Sequence, residues 1–159
     1  MTLTRRGLIV TTFIGMGLAP GLALAQEPPI FSAHRGFLGR GEAFAIRGYD
    51  PVAYHLDNRP VEGSSEITAD WMGAIWSFTS EANRDRFIAD PGRYAPAYGG
   101  YCAWAAAQGY LAPIDPDAFT IHEGRLYLNA SLDVRRRWER DIPGHIARAD
   151  ANWPEILSR

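Results

Sequence analysis

A single cysteine, Cys102, in 159 residues rules out an internal disulfide, so only a packed apolar core can hold this chain together. The length suits one domain with one core. With 47% hydrophobic and 21% charged residues, the composition sits at the globular average and excludes a disordered or fibrous chain. All 16 basic residues are arginine, no basic tract stands out, and the formal charge is −2. Nucleic-acid binding depends on clustered positive charge and is set aside.

The N-terminus carries an export pattern. Thr4-Arg5-Arg6-Gly7 precedes an apolar run from Val10 to Leu24 that ends in the small-residue site Ala23-Leu24-Ala25. Gly15, Gly17, Pro20 and Gly21 interrupt that run, which falls short of the roughly 20 apolar residues of a spanning helix. Residues 1–25 therefore read as a cleavable signal, and the paired arginines point to the twin-arginine route. The expectation is a periplasmic protein starting at Gln26, with no stable membrane span after cleavage. In an oxidising compartment a spare thiol has to be buried, ligated or used.

Residues 26–42, with Pro28-Pro29 and scattered glycines, read as an extended arm lying over a domain that fills 43–159. Gly48-Tyr49-Asp50-Pro51 reads as a turn and residues 52–55 as a short strand. Met72-Gly73 joins strands at 66–71 and 74–79, and Glu123-Gly124 joins strands at 119–121 and 126–129. Ser80 is a fitting N-cap for a helix over 81–89 that Asp90-Pro91-Gly92 stops. Ser131 caps a helix to about residue 140, and Asp141 caps another to about residue 152. The result is a single-domain α+β fold, a small antiparallel sheet of two hairpins packed with several short helices.

Chemistry concentrates in Gly99-Gly100-Tyr101-Cys102-Ala103-Trp104, which reads as a helix opening from a glycine pair. A thiol at a helix start meets unpartnered N–H groups and the positive end of the macrodipole, which favour the thiolate. Against that stands the reading of Cys102 as a buried small hydrophobe. Tyr101, Trp104 and Tyr110 offer aromatic walls for a ligand, and Asp115 or Asp117 on a proline-rich loop offers charge. His55 is the nearest imidazole in sequence, while His122 and His145 read as surface residues. The chain has no CxxC, Ser-His-Asp, HExxH or phosphate-binding glycine pattern.

Three stretches carry a resemblance: Tyr49-Asp50-Pro51-Val52-Ala53-Tyr54, then residues 76–87 from Trp76 to Phe87, then Asp90-Pro91-Gly92-Arg93-Tyr94. Together they resemble the YHS domain family over about residues 48–98. Gly99-Gly100-Tyr101-Cys102-Ala103 and Asp150-Ala151-Asn152-Trp153-Pro154 resemble its exported subgroup. The resemblance implies heavy-metal or copper handling through two cysteines, but Ala53 and Thr79 stand at those places here. In the subgroup the position of Cys102 can be selenocysteine, which implies redox or soft-metal chemistry there. Three readings are open. The first is a periplasmic module binding a soft metal ion, copper favoured, through Cys102 with His55 assisting. The second is a non-enzymatic small-ligand or protein-interaction module with a structural cysteine, its ligand held by Tyr101, Trp104 and Asp115. The third is a single-cysteine thiol redox protein acting with a periplasmic partner.

Overall fold

The computed structural model describes residues 26–34 and 42–158, so the expected signal at 1–25 lies outside the described residues. The two anticipated hairpins are present. Strand β3 (Ser64–Trp71) pairs with β4 (Ala74–Phe78), and β5 (Asp115–His122) pairs with β6 (Arg125–Asn129), both antiparallel. The turns are Met72-Gly73 (φ 49 and 75) and Glu123-Gly124 (φ 50 and 74), and two consecutive positive φ values match the right-handed twist of hairpin strands. Each hairpin is a separate two-stranded sheet. A third sheet joins β1 (Ser32–His34) to β2 (Ala43–Ala45), so the arm is stitched into the fold by strand pairing.

Helix α1 (Pro51–Leu56) corrects the expected strand at 52–55. Asp50 is its N-cap, accepting from the Val52 and Ala53 N–H groups at 2.8 and 3.3 Å, and Pro51 occupies the first turn, where its missing N–H costs nothing. A short apolar run cannot tell strand from helix by periodicity, and here the cap decides. Helix α2 (Glu81–Ala89) starts at Ser80, whose Oγ accepts from Asn83 N–H, and α3 (Pro91–Tyr94) starts at Asp90 in the same way. Helix α4 (Ala103–Gln108) follows the glycine pair. Helices α5 (Leu132–Trp138) and α6 (Ile142–Asn152) begin at the anticipated caps Ser131 and Asp141. No helix among the described residues is long and apolar enough to cross a membrane.

Two apolar clusters form the core, and α4 belongs to both. Cys102 and Ala105 join Tyr54, Trp76, Phe78 and Phe87, while Ala103, Ala106 and Ala107 join Tyr98, Tyr127 and Trp138. Gly99 sets the arm: at φ 59 a Cβ there would collide with the Pro29 carbonyl, and the Phe31 N–H donates to the Gly99 oxygen at 2.8 Å. Tyr101 Oη donates to the Pro28 oxygen at 3.0 Å, and the Glu27 N–H to the Leu157 oxygen at 2.8 Å.

The fully buried Asp50 carboxylate ties these parts together. Besides capping α1 through Oδ1, its Oδ2 accepts from Thr79 N–H (2.8 Å), Thr79 Oγ1 (2.7 Å) and Asn83 Nδ2 (2.8 Å). Every neighbour is a donor, so a carboxylate is required: an amide in its place would turn an N–H₂ toward other N–H groups. Replacing Asp50 with Ala or with Asn is expected to cost at least about 3 kcal/mol in urea unfolding, since either change orphans buried donors. Thr79→Val, which removes one hydroxyl, should cost about 1 kcal/mol. An Asp50→Asn protein as stable as wild type would refute the assignment.

Candidate functional site

Cys102 sits where the sequence places it, at the N-cap of α4, but the sulfur is sealed. The residue is 1% exposed. Its Sγ donates to Asn129 Oδ1 at 3.8 Å, and the same oxygen accepts from the Trp104 N–H at 3.2 Å. The Cys102 N–H donates to the Ala112 oxygen at 3.0 Å. Burial raises the thiol pKa. Hydrogen bonding from the backbone at Ala105, Ala130 and Trp104 favours the thiolate, and burial outweighs it. Asn129 had no sequence signal, as a polar residue ending a strand is ordinary. It is fully buried, and its Nδ2 has no hydrogen-bond partner among the described residues.

His55 lies at the C-terminal end of α1, its ring edge-to-face with Tyr94 at 5.5 Å. Burial lowers its pKa against a backbone hydrogen bond at Tyr94 that raises it, and Nε2 has no hydrogen-bond partner among the described residues. No hydrogen bond joins His55 to Cys102 among the described residues. Nor do three or more His, Cys, Asp or Glu side chains gather into a metal-holding group there.

Two clefts open on either side of Pro113, and the ligand residues read from the sequence divide between them. Tyr101 lines the first, of about 380 Å³, with Phe31, Tyr110, Leu111 and Ile156. Asp115 lines the second, of about 650 Å³. Trp104 lines neither; its ring lies edge-on to Tyr110 at 6.4 Å. The second cleft is built by two stretches: Arg47 and Tyr49 with Glu62, which bridges to Tyr49, and residues 113–116 with Ala130. Asp115 opens β5, not a loop as expected, and its Oδ1 accepts from the Asp117 N–H at 3.0 Å. Burial, then Glu62 and Asp117, raise the Tyr49 pKa and keep its hydroxyl protonated. Arg47 makes no ion pair among the described residues. Sequence reading missed Arg47 and Tyr49 as site residues; only Gly48 and the following Tyr-Asp-Pro marked an unusual turn there.

A thiol whose folded pKa lies above its unfolded value of about 8.5 contributes stability that is fully present below that pH and is lost as pH rises toward the folded value. Wild type should exceed Cys102→Ala by about 1–2 kcal/mol at neutral pH, and the gap should narrow in alkali. Iodoacetamide should alkylate Cys102 far more slowly in the native protein than in urea; equal rates would show that the sulfur is open. No family model matches this chain, and neither a curated protein nor a solved structure matches it.

Proposed function

We propose that this protein is an exported, non-catalytic small-ligand-binding module. Its ligand occupies the cleft presenting Arg47, Tyr49 and Asp115, and Cys102 serves as a structural group behind the Ala130 wall. One observation carries the reading. The only thiol is closed off by packing and by Asn129, while the neighbouring cleft of about 650 Å³ holds charged side chains open to solvent. That volume falls inside the roughly 300–1,000 Å³ span of small-molecule sites. The periplasmic location belongs to the same proposal and rests on Arg5-Arg6 and the Ala23-Leu24-Ala25 site. Membership of the YHS family is likewise proposed, on the motif segments within 48–98.

The soft-metal reading is the second, favoured by the backbone hydrogen bonds that support a thiolate at Cys102 and by the unpartnered Nε2 of His55. Copper(I) separates the two. With a structural cysteine, wild type and Cys102→Ala bind copper(I) equally. A stoichiometric site lost in Cys102→Ala would transfer the function to the metal. For the cleft, amide NMR spectra of the full chain are recorded with amino acids, organic acids, amines and sugars at millimolar concentration. Shifts are expected at residues 47–49, 62, 114, 115 and 130. Silence of those residues toward every compound would overturn the binding-module reading.

A further inference from the structure

The smaller cleft, of about 380 Å³, lies across Pro113 from the one presenting Arg47 and is lined by a different set of groups. Its walls come from three stretches of chain: Glu27 and Phe31 of the arm, Tyr101 and Tyr110 flanking α4, and Ile156 near the C-terminus. The arm is pinned there by three hydrogen bonds. The Glu27 N–H donates to the Leu157 oxygen at 2.8 Å, the Phe31 N–H to the Gly99 oxygen at 2.8 Å, and Tyr101 Oη to the Pro28 oxygen at 3.0 Å. Tyr110 follows the left-handed cap Gly109 (φ 85), and its own N–H donates to the Ala105 oxygen at 3.2 Å. The rings brace one another: Phe31 meets Tyr101 edge-on at 5.5 Å, Tyr101 lies 6.3 Å from Trp153, and Trp104 meets Tyr110 edge-on at 6.4 Å. The aromatic walls are therefore set by the fold rather than by a ligand.

Glu27 is the one charged side chain lining this cleft among the described residues, and it makes no ion pair among them. Its charge reaches the aromatic wall: burial, then Glu27, raise the pKa of Tyr101. Tyr110 is 49% exposed, so an aromatic ring at the cleft is left half open to solvent. Three rings and one carboxylate suit positive charge and apolar surface together, because the faces of aromatic rings carry negative potential and attract cations. An ammonium with N–H groups needs an acceptor for each of them. Here the Tyr101 hydroxyl is engaged with Pro28 and the Ala112 oxygen with the Cys102 N–H. A fully alkylated ammonium has no N–H to satisfy and buries its methyl groups against aromatic faces. The volume falls inside the roughly 300–1,000 Å³ span of small-molecule sites. We infer that this cleft binds a small quaternary ammonium of choline size, its methylated nitrogen among Phe31, Tyr101 and Tyr110, with Glu27 countering its charge.

The site shares no charged group with the Arg47 cleft, so the two readings stand or fall separately. The test is an amide NMR titration of the full chain with choline, with its uncharged isostere 3,3-dimethyl-1-butanol, and with ethanolamine, which carries three N–H groups. Choline should shift residues 27, 31, 101, 110 and 111 and bind at least about fivefold more tightly than either analogue. Glu27→Gln should remove most of its preference over the alcohol while leaving the alcohol's own affinity within about twofold. Tyr110→Leu, at an exposed position, should weaken choline at least about threefold with the melting temperature unchanged. Sedimentation with phosphatidylcholine vesicles separates the sources of this headgroup. Choline binding without sedimentation identifies a free solute, and choline binding with sedimentation lost in Glu27→Gln identifies a lipid headgroup. The inference is overturned if choline at millimolar concentration shifts none of those residues, if the alcohol or ethanolamine binds within about twofold of it, or if both variants keep the wild-type affinity. Sedimentation without choline binding overturns it as well.

Discussion

The Asp50 carboxylate is the interaction on which the rest of the structure depends, because it answers donors from three separate pieces of chain. It caps α1, fixes the backbone and hydroxyl of Thr79 where β4 ends, and holds Asn83 on α2. Removed from water, a carboxylate is costly unless every lone-pair direction is used, and here five hydrogen bonds use them. The residues that carry the sequence resemblance, Asp50-Pro51 and the stretch from Trp76 to Phe87, are thus the partners in one structural knot. Only a carboxylate meets this set of donors.

That knot also explains how the strained left-handed turn of Ile46, Arg47 and Gly48 (φ 44, 62 and 82) can be kept next to it. The Gly48 oxygen is held by Gly63 and by Ser77, and Ser77 belongs to the strand whose end Asp50 fixes through Thr79. The left-handed turn of residues 46–48 is therefore clamped on its C-terminal side by the hydrogen-bonded frame and on its N-terminal side by Phe31 of the arm. The arm in turn is threaded past Gly99, where a side chain would collide with the Pro29 carbonyl. The exposed position of Arg47 follows from contacts made by its neighbours, each of them buried, rather than from any contact of its own.

How much of this was legible in the sequence depended on whether the signal was local. Caps at Ser80, Ser131 and Asp141 and the turns at Met72-Gly73 and Glu123-Gly124 act within four residues, and they gave helices and hairpins at the right places. At Asp50-Pro51 the same local cap signal competes with the apolar, strand-like run Val52-Ala53-Tyr54, all three of which are buried in a helix. Long-range pairings left no trace: Asn129 meets Cys102 across 27 residues of chain, and Arg47 meets Asp115 only in a shared cleft. The position of Cys102 at a helix start was readable, whereas its burial was not, because burial is decided by what packs over it.

The contest at Cys102 shows why residue type and helix position are insufficient to assign chemistry. Backbone hydrogen bonding at Ala105, Ala130 and Trp104 favours the thiolate, as a helix start should. Desolvation of a sulfur that is 1% exposed outweighs it, since a buried anion loses more solvation than a short helix end returns. Asn129 completes the outcome, for its Oδ1 can accept from a thiol S–H and would face a thiolate lone pair unfavourably. The protonated sulfur therefore fits both its packing and its one polar neighbour. The charged side chains of the neighbouring cleft, Arg47, Glu62 and Asp115, lie instead where water reaches them.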